Sequence, residues 1–349
     1  MLITIFITIF VALVFDFVNG MNDAANSIAT IVSTRILSPR AAVIWAATFN
    51  FLALFIFGVP VAKTIGKGII ETNILTVQII LAALAGAIIW AYFFCARFGI
   101  PVSSSHSLIG GLMGAALMKG GHSALILGHS LSTFLQTKIF ITILFIILAP
   151  IMGLIMGYFI MVGIIWLCRK TSPKRVDKFF RVGQLLSSAA FSMGHGGNDA
   201  QKTMGVIAML LFTCREVPFV KTYLYSYPDL QIPFWVELLA ISVISLGTLS
   251  GGMKIVKTMG VKLTHLKPVG GFSAETAGAF TLFGATSMGI PVSTTQTIAG
   301  AIMGVGTTRR FSAVRWGVAS NIIITWIITI PASALMSALS YYIISKFIP

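Results

Sequence analysis

Residues 99–114 read GIPVSSSHSLIGGLMG, and residues 289–304 read GIPVSTTQTIAGAIMG. Eight of the sixteen positions are identical, and three others exchange serine for threonine. A second pair of segments is also alike, since residues 20–26 read GMNDAAN and residues 196–202 read GGNDAQK. Both motifs occur in the same order along the chain, which indicates an internal duplication.

A proline between two apolar runs, Pro150 and Pro331, forms a third pair in the same order. We therefore predict a first repeat over residues 1–168, a short basic linker over residues 169–181, and a second repeat over residues 182–349. If the two GIPVS segments enter and leave on one face, each repeat crosses the membrane an odd number of times. Two tandem repeats of that kind run in opposite directions, as inverted repeats do.

The composition places this chain in a membrane. Of its 349 residues, 57% are hydrophobic and only 9% are charged, and the mean hydropathy is +0.96. A soluble protein carries about 25% charged residues. The apolar runs are continuous rather than alternating, which predicts an all-α integral membrane protein instead of a barrel. At about 20 residues for each crossing, the length allows roughly ten spans.

Hydropathy divides each repeat into a similar series of spans. We expect broken helices at about residues 2–34 and 183–213, and two separate spans on either side of each repeated proline. The remaining predicted spans and polar-start helices lie at about residues 41–62, 73–96, 99–118, 233–250, 272–287 and 289–306.

The charge distribution indicates an orientation rather than a nucleic-acid partner. There are 24 basic and 9 acidic residues, a formal net charge of +15, but no basic helix that would suit a nucleic acid. Six Lys or Arg residues lie in the linker, which the positive-inside rule places in the cytoplasm. Cys95, Cys168 and Cys214 lack CxxC spacing and are expected to be small apolar residues rather than a disulfide or metal set.

The Asn-Asp motifs are candidate cation sites. Intramembrane carboxylates are costly and usually functional, so Asp23 and Asp199 stand out together with Asn22 and Asn198. Neighbouring glycines predict a break in each helix, where backbone and side-chain oxygens could hold a hard cation. The alternative is that the two asparagines only cap helices that begin inside the bilayer.

The repeated hydroxyl residues are candidate anion ligands. Proline followed by Ser or Thr predicts a helix start near Val102 and another near Val292. A helix start offers free N–H groups and positive partial charge to a tetrahedral oxyanion. The alternative is that these hydroxyls only pack helices together. The candidate anion ligands are Ser103, Ser104, Ser105, Ser293, Thr294 and Thr295, together with Asn22, Asp23, Asn198 and Asp199.

Charge arithmetic couples the two kinds of site. A bound dianion beside Asp23 and Asp199 would place about four negative charges at low dielectric, and helix ends supply about +0.5 each. Moving a dianion inward against 100 mV costs about 4.6 kcal/mol. Bound cations would offset both, which predicts symport. The further candidate cation ligands are Asn26, Ser103, Ser293, Gln296 and Glu275.

Other polar residues have more open roles. Lys202 stands where the first repeat has Asn26, so it could neutralise Asp199 and weaken the second cation site. His106 is matched by Gln296, which cannot titrate, so a hydrogen-bonding role is expected for both. His195 could contact the substrate or only pack.

The motifs GMNDAANS, GHGGNDAQKT, GIPVSSSH, GIPVSTTQ and GFSAET resemble those of the inorganic phosphate transporter (PiT) family from about Gly20 to beyond Pro331. The resemblance implies a symporter for inorganic phosphate in the cell membrane, with inverted repeats, two re-entrant helical hairpins and usually a homodimer. It marks Asn22, Asp23, Asn198 and Asp199 as signature residues and Glu275 as the acidic residue of the second-half motif GFSAET.

The resemblance does not choose the coupling ion. The family includes Na⁺-coupled, H⁺-coupled and metal-phosphate members, and some relatives take sulfate. The amides and hydroxyls around Asp23 favour Na⁺, held at Asn22, Asp23, Asn198 and Asp199, and no cofactor is expected. A passive anion channel is disfavoured because the carboxylates would repel the anion. An intramembrane protease is disfavoured because the GxGD spacing is missing, so we do not expect an enzyme.

Overall fold

The computed structural model describes residues 1–71, 73–92, 98–128 and 130–347. Within these ranges the chain is built from helices, with one isolated bridge between Ile70 and Leu125 and no strand. The α-helices are α1 Leu2–Ser33, α2 Pro39–Leu52, α3 Pro60–Lys67, α4 Val77–Ala91, α5 Ser104–Gly120, α6 Leu131–Phe134, α7 Lys138–Leu167, α8 Pro173–Thr213, α9 Phe234–Ser250, α10 Met253–Lys257, α11 Pro268–Ser287, α12 Thr294–Thr307 and α13 Trp316–Phe347. Short 3₁₀ segments occupy Ala53–Phe55, Gly121–Ala124 and Phe311–Ala313, and π-helical turns occupy Val220–Leu224 and Thr258–Lys262.

The helices confirm a multi-pass membrane protein. Among the described residues, α1, α7 and α13 are each long and apolar enough to cross a bilayer. Two bent pairs also pass this test: Pro39–Phe55 with Pro60–Lys67 at 80°, and Phe234–Ser250 with Met253–Gly260 at 65°. This count gives three spans, or five if each bent pair is one span. Residues 93–97, the end of one predicted span, lie outside the described residues.

The prolines do not separate spans. Pro150 lies inside the 30-residue helix α7, and Pro331 lies inside the 32-residue helix α13. The prediction of two spans around each proline is therefore wrong. Thirty residues of helix measure about 45 Å, which suits one crossing rather than two. Proline is tolerated inside a membrane helix when neighbouring groups satisfy the backbone that it frees.

The Asn-Asp motifs do not interrupt their helices. Both α1 and α8 are continuous through the motifs, so the predicted breaks are wrong at these places. The glycines serve close packing instead: a Cβ at Gly20 would collide with the backbone of Ile244, and one at Gly196 would lie 2.6 Å from the carbonyl oxygen of Asn50. The sharp bends fall between α2 and α3 and between α9 and α10.

The predicted linker is mostly helical. Only residues 168–172 separate α7 from α8, because Pro173 occupies the first turn of α8, where its missing N–H carries no penalty. Four of the six basic side chains of residues 169–181 therefore project from the start of α8. Of the cysteines, Cys214 is buried, Cys168 is partly buried and both are free, while Cys95 lies outside the described residues.

Corresponding helices of the two halves make corresponding contacts. Helix α5 packs on α13 and α4, and α12 packs on α7 and α11, while α1 contacts α9 and α8 contacts α2. Close approach depends on the GxxxG glycines: a Cβ at Gly114 would collide with the carbonyl group of Ala334, and one at Gly304 with that of Leu154. The packing therefore repeats, whereas the opposite direction of the two repeats stays a prediction.

Two hydrophobic cores are separated by a polar layer. On α1, Ile5–Phe15 contribute to the first core and Ala25–Ile31 to the second. On α8, residues from Ala200 onward pack in the first core and Phe191 packs in the second. On α1 and on α8, the Asn-Asp motif lies at the boundary between the two cores, where α5 and α12 also begin.

Candidate functional site

Asp23 joins three helices at the centre of the protein. Its carboxylate accepts hydrogen bonds from the hydroxyls of Ser104 at 3.2 Å, Thr295 at 3.2 Å and Thr294 at 3.4 Å. Ser104 opens α5 and the two threonines open α12, so the starts of both hydroxyl-bearing helices converge on α1. This is the arrangement in which an acid and two positive helix ends share one small volume.

The helix starts are capped as the sequence predicted. The hydroxyl of Ser103 accepts from the N–H of His106 at 3.2 Å, and that of Ser293 accepts from the N–H of Gln296 at 3.3 Å. These two serine hydroxyls therefore act as the N-terminal caps of α5 and α12. Asn26 adds to the second start, because its amide group donates to Thr295 at 2.8 Å.

Asp199 has a cationic partner. The ammonium group of Lys202 lies 2.5 Å from Asp199 Oδ1 and 3.3 Å from the carbonyl oxygen of Val292, and it also donates to the hydroxyl of Ser105. The imidazole of His195 lies 3.6 Å from the other oxygen of Asp199. The expectation that Lys202 could neutralise Asp199 agrees with this geometry.

The two motif carboxylates lie close to each other. One ligand atom each from Asp23, Asp199 and His195 lies within 4.8 Å of the others. A third buried acid, Asp16, accepts a hydrogen bond from Thr203 at 2.9 Å. Three buried acids lie beside one lysine, so each further acid that ionises needs a bound cation or a proton to balance its charge.

Several buried oxygens of this region have no hydrogen-bond partner among the described residues. Each is an acceptor, and orphaned buried acceptors are rare in folded proteins, so they mark places for a ligand with positive charge or a donor proton. These atoms are Asp16 Oδ2, Asn26 Oδ1, Asn198 Oδ1, Asp199 Oδ2 and Gln296 Oε1. The amide group of Asn198 donates to Thr286 at 3.0 Å, which leaves its oxygen available.

Glu275 lies in a separate polar cluster. Its carboxylate accepts from Thr30 at 2.5 Å, Gln184 at 2.9 Å and Ser187 at 2.5 Å. All four side chains are buried. The carboxylate therefore has three hydrogen-bond donors, but it has no ion-pair partner among the described residues. We call Asp23, Asp199, Lys202 and the starts of α5 and α12 the central site. Thr30 is one helical turn from Asn26 on α1, so the Glu275 cluster lies beside this central site rather than in it.

The sequence analysis missed several partners of the predicted residues. Asn50 of α2 holds the ring of His195 at 3.2 Å, and Gln201 accepts from two backbone N–H groups in the first turn of α3 at 2.8 and 3.3 Å. Gln184 and Ser187 surround Glu275. A uniform search for amide and hydroxyl residues inside apolar runs would have found Asn50, because such residues need partners there.

The residues of the central site are buried in the described structure. Asn22 and Ser104 are 6% exposed, Asp23 is 3% exposed, and Asp199 and Lys202 are fully buried. Oxygen ligands and helix starts suit the binding of ions rather than covalent chemistry. A buried cluster of polar and charged side chains between two similar halves of a membrane protein is typical of a membrane transporter.

The comparisons agree with this class. A family model described as the phosphate transporter family matches residues 19–337, so the chain belongs to the phosphate transporter family. The family and the relatives below are transporters, and the protein is a transporter rather than an enzyme.

Named relatives cover nearly the whole chain. A protein of Rhizobium meliloti named "Probable low-affinity inorganic phosphate transporter" is 53% identical over 95% of this chain and 94% of its own length. A protein of the same name from Bacillus subtilis is 42% identical over 99% of this chain and 98% of its own. A solved structure titled "The sodium-dependent phosphate transporter" is 27% identical, covers 99% of this chain and 100% of its own, and superposes with a TM-score of 0.82.

Proposed function

We propose that this protein imports inorganic phosphate across the cell membrane together with Na⁺, by alternating access. One observation carries the proposal: hydroxyls at the starts of both α5 and α12 converge on the carboxylate of Asp23. Anion-attracting helix ends and a cation-attracting acid therefore share one buried site. The names of the curated relatives and of the solved structure support phosphate and Na⁺ respectively.

Phosphate binds between the two helix starts in this proposal. Its ligands are the N–H groups and hydroxyls of Ser103–Ser105 and Ser293–Thr295, with Asn22 and Asn198 beside them. Each helix start contributes about half a positive charge. Monohydrogen phosphate can donate its proton to a carboxylate such as Asp23, whereas sulfate cannot, which supports phosphate over sulfate.

Na⁺ binds to the oxygens that surround the anion. Asp23 and Asn22 supply carboxylate and amide oxygens, and Asn26 has an oxygen without a partner in the described part of the chain. Asn198 and Asp199 each offer one such oxygen from the second repeat. Hard oxygen donors of this kind suit Na⁺.

The other predicted cation ligands differ in how well they are placed. The oxygen of Gln296 has no partner among the described residues, and its amide nitrogen lies 3.3 Å from Nδ1 of His106 in the first turn of α5, so we include it. The hydroxyls of Ser103 and Ser293 keep one lone pair beside their capping bonds. We assign Glu275 to a second, peripheral position because its partner Thr30 lies one turn from Asn26 and its other partners, Gln184 and Ser187, lie farther away along α8.

Transport requires the buried site to open alternately to each side of the membrane. The packing of α5 on α13 and of α12 on α7 supports alternate opening, because these two contacts are equivalent in the two repeats. The basic segment 169–181 is placed on the cytoplasmic side by the positive-inside rule. A homodimer is the assembly that we expect.

Uptake of labelled phosphate into proteoliposomes tests the proposal. An inward Na⁺ gradient should drive uptake, Asp23→Ala should abolish it, and Asp177→Ala should leave it unchanged, because Asp177 is exposed and pairs only with Arg181 in the described structure. Uptake driven only by a pH gradient would replace Na⁺ with H⁺. Competition by excess sulfate would assign the site to a broader oxyanion class. Wild-type uptake by Asp23→Ala would refute the site.

A further inference from the structure

Lys202 and Asn26 occupy equivalent positions in the two repeats but differ in charge. Each follows its motif aspartate by three residues. Each also reaches the start of the hydroxyl-bearing helix of the other repeat: Asn26 donates to Thr295 at 2.8 Å, and Lys202 donates to Ser105. Since Thr295 and Ser105 are themselves equivalent, the two contacts are related by the repeat.

The exchange of asparagine for lysine removes a ligand and adds a charge. The amide of Asn26 keeps an oxygen that has no partner among the described residues. Lys202 has no acceptor atom at all, and its ammonium group supplies three donors and one positive charge. The second repeat therefore offers one oxygen fewer and one fixed cation more than the first.

The ammonium group lies where a cation of the second repeat is needed. It is 2.5 Å from Asp199 and 3.3 Å from the carbonyl oxygen of Val292, and it contacts the hydroxyl of Ser105. Carboxylate, carbonyl and hydroxyl oxygens are the ligands that a Na⁺ ion would take. The lysine side chain is fully buried, so its charge stays within the site.

We propose that Lys202 replaces one co-transported cation, so that this protein binds one Na⁺ fewer for each phosphate than it would with asparagine at position 202. This inference rests on the cation site of the proposed function. A tethered cation offsets negative charge but does not move with its gradient. With a tenfold Na⁺ gradient, each Na⁺ that is lost lowers the limiting accumulation of phosphate about tenfold.

Equilibrium binding of radioactive Na⁺ to the purified protein, with phosphate present, tests this without requiring transport. Lys202→Asn should bind one more Na⁺ per chain than the wild type. Lys178→Asn is the matched control, because it makes the same exchange at an exposed position of the same helix, α8, outside the proposed cation site. It should bind the wild-type number.

Equal Na⁺ binding by the wild type and a folded Lys202→Asn variant would overturn the proposal. If that variant does not fold, Lys202→Gln supplies the same amide on a longer side chain and takes its place. A wild type that binds no Na⁺, with one ion bound by Lys202→Asn, would defeat Na⁺ coupling in the proposed function and still support the role of Lys202. Binding of no Na⁺ by either protein would defeat both.

Discussion

The close contact between α12 and α7 predicts a large effect of a single methyl group. In Gly304→Ala, the new Cβ would collide with the carbonyl oxygen of Leu154 and would lie 2.8 Å from its carbonyl carbon and 2.9 Å from its Cα. Ordinary contacts lie at 3.4–4 Å, so the helices must separate by about 0.6 Å to relieve the carbonyl-carbon contact alone.

The displacement should reach the central site. Overpacking of this kind costs about 1–3 kcal/mol. The same helix begins with Thr294 and Thr295, whose hydroxyls lie 3.4 and 3.2 Å from Asp23. A separation of about 0.6 Å carried along α12 would lengthen both bonds beyond the range of a hydrogen bond, about 3.5 Å.

Thermal unfolding in detergent and phosphate uptake in proteoliposomes measure the two consequences. We expect Gly304→Ala to lower both stability and uptake. The matched control is Gly163→Ala on α7, where a Cβ meets nothing within 4 Å. Alanine favours a helix over glycine by about 1 kcal/mol, so this control should be as stable as the wild type or more stable. Equal unfolding temperatures and uptake for the two variants would refute the packing argument.

Three further predictions concern single contacts. Thr30→Val removes a buried hydroxyl donor 2.5 Å from Glu275 and should lower the free energy of unfolding by about 1.5–3 kcal/mol, measured by thermal unfolding. The control is Thr48→Val, whose exposed hydroxyl donates to the carbonyl of Ile44 in its own helix. Gln201→Ala leaves two N–H groups in the first turn of α3 without their acceptor and should lower stability by about 1–2 kcal/mol, with faster hydrogen exchange confined to that helix; unchanged exchange would contradict the capping role. In the described structure Arg181→Ala breaks an exposed ion pair with Asp177, so its free energy of unfolding should match that of the wild type to within about 0.5 kcal/mol; a larger loss would show that the pair contributes more than a surface contact does.

The duplicated motifs predicted the centre of the fold well. The helices α5 and α12 begin within two residues of the expected starts near Val102 and Val292, and each has a serine cap, Ser103 and Ser293 respectively. These features follow from local chemistry, because a proline and a hydroxyl fix a helix start whatever lies around it. The match to the phosphate transporter family confirms the resemblance on which phosphate was expected.

The errors arose where long-range packing decides the local structure. Pro150 lies in a continuous helix, although proline alone would predict an end. The glycines near Asn22 and Asn198 indicated broken helices, whereas Gly20 and Gly196 serve close approach to Ile244 and Asn50. A sequence gives no direct record of which backbone will lie against a glycine. The roles of the candidate site residues themselves remain predictions.

The exchange of helices between repeats has a consequence for biosynthesis. Helix α5 is made early, yet its glycine face packs on α13, which is the last α-helix described. During synthesis, Gly110 and Gly114 therefore lack their contacts with α13 until about two hundred further residues have been made and inserted. The packing of α5 is therefore completed only when α13 has been inserted, and a first repeat made alone would expose this glycine face to lipid.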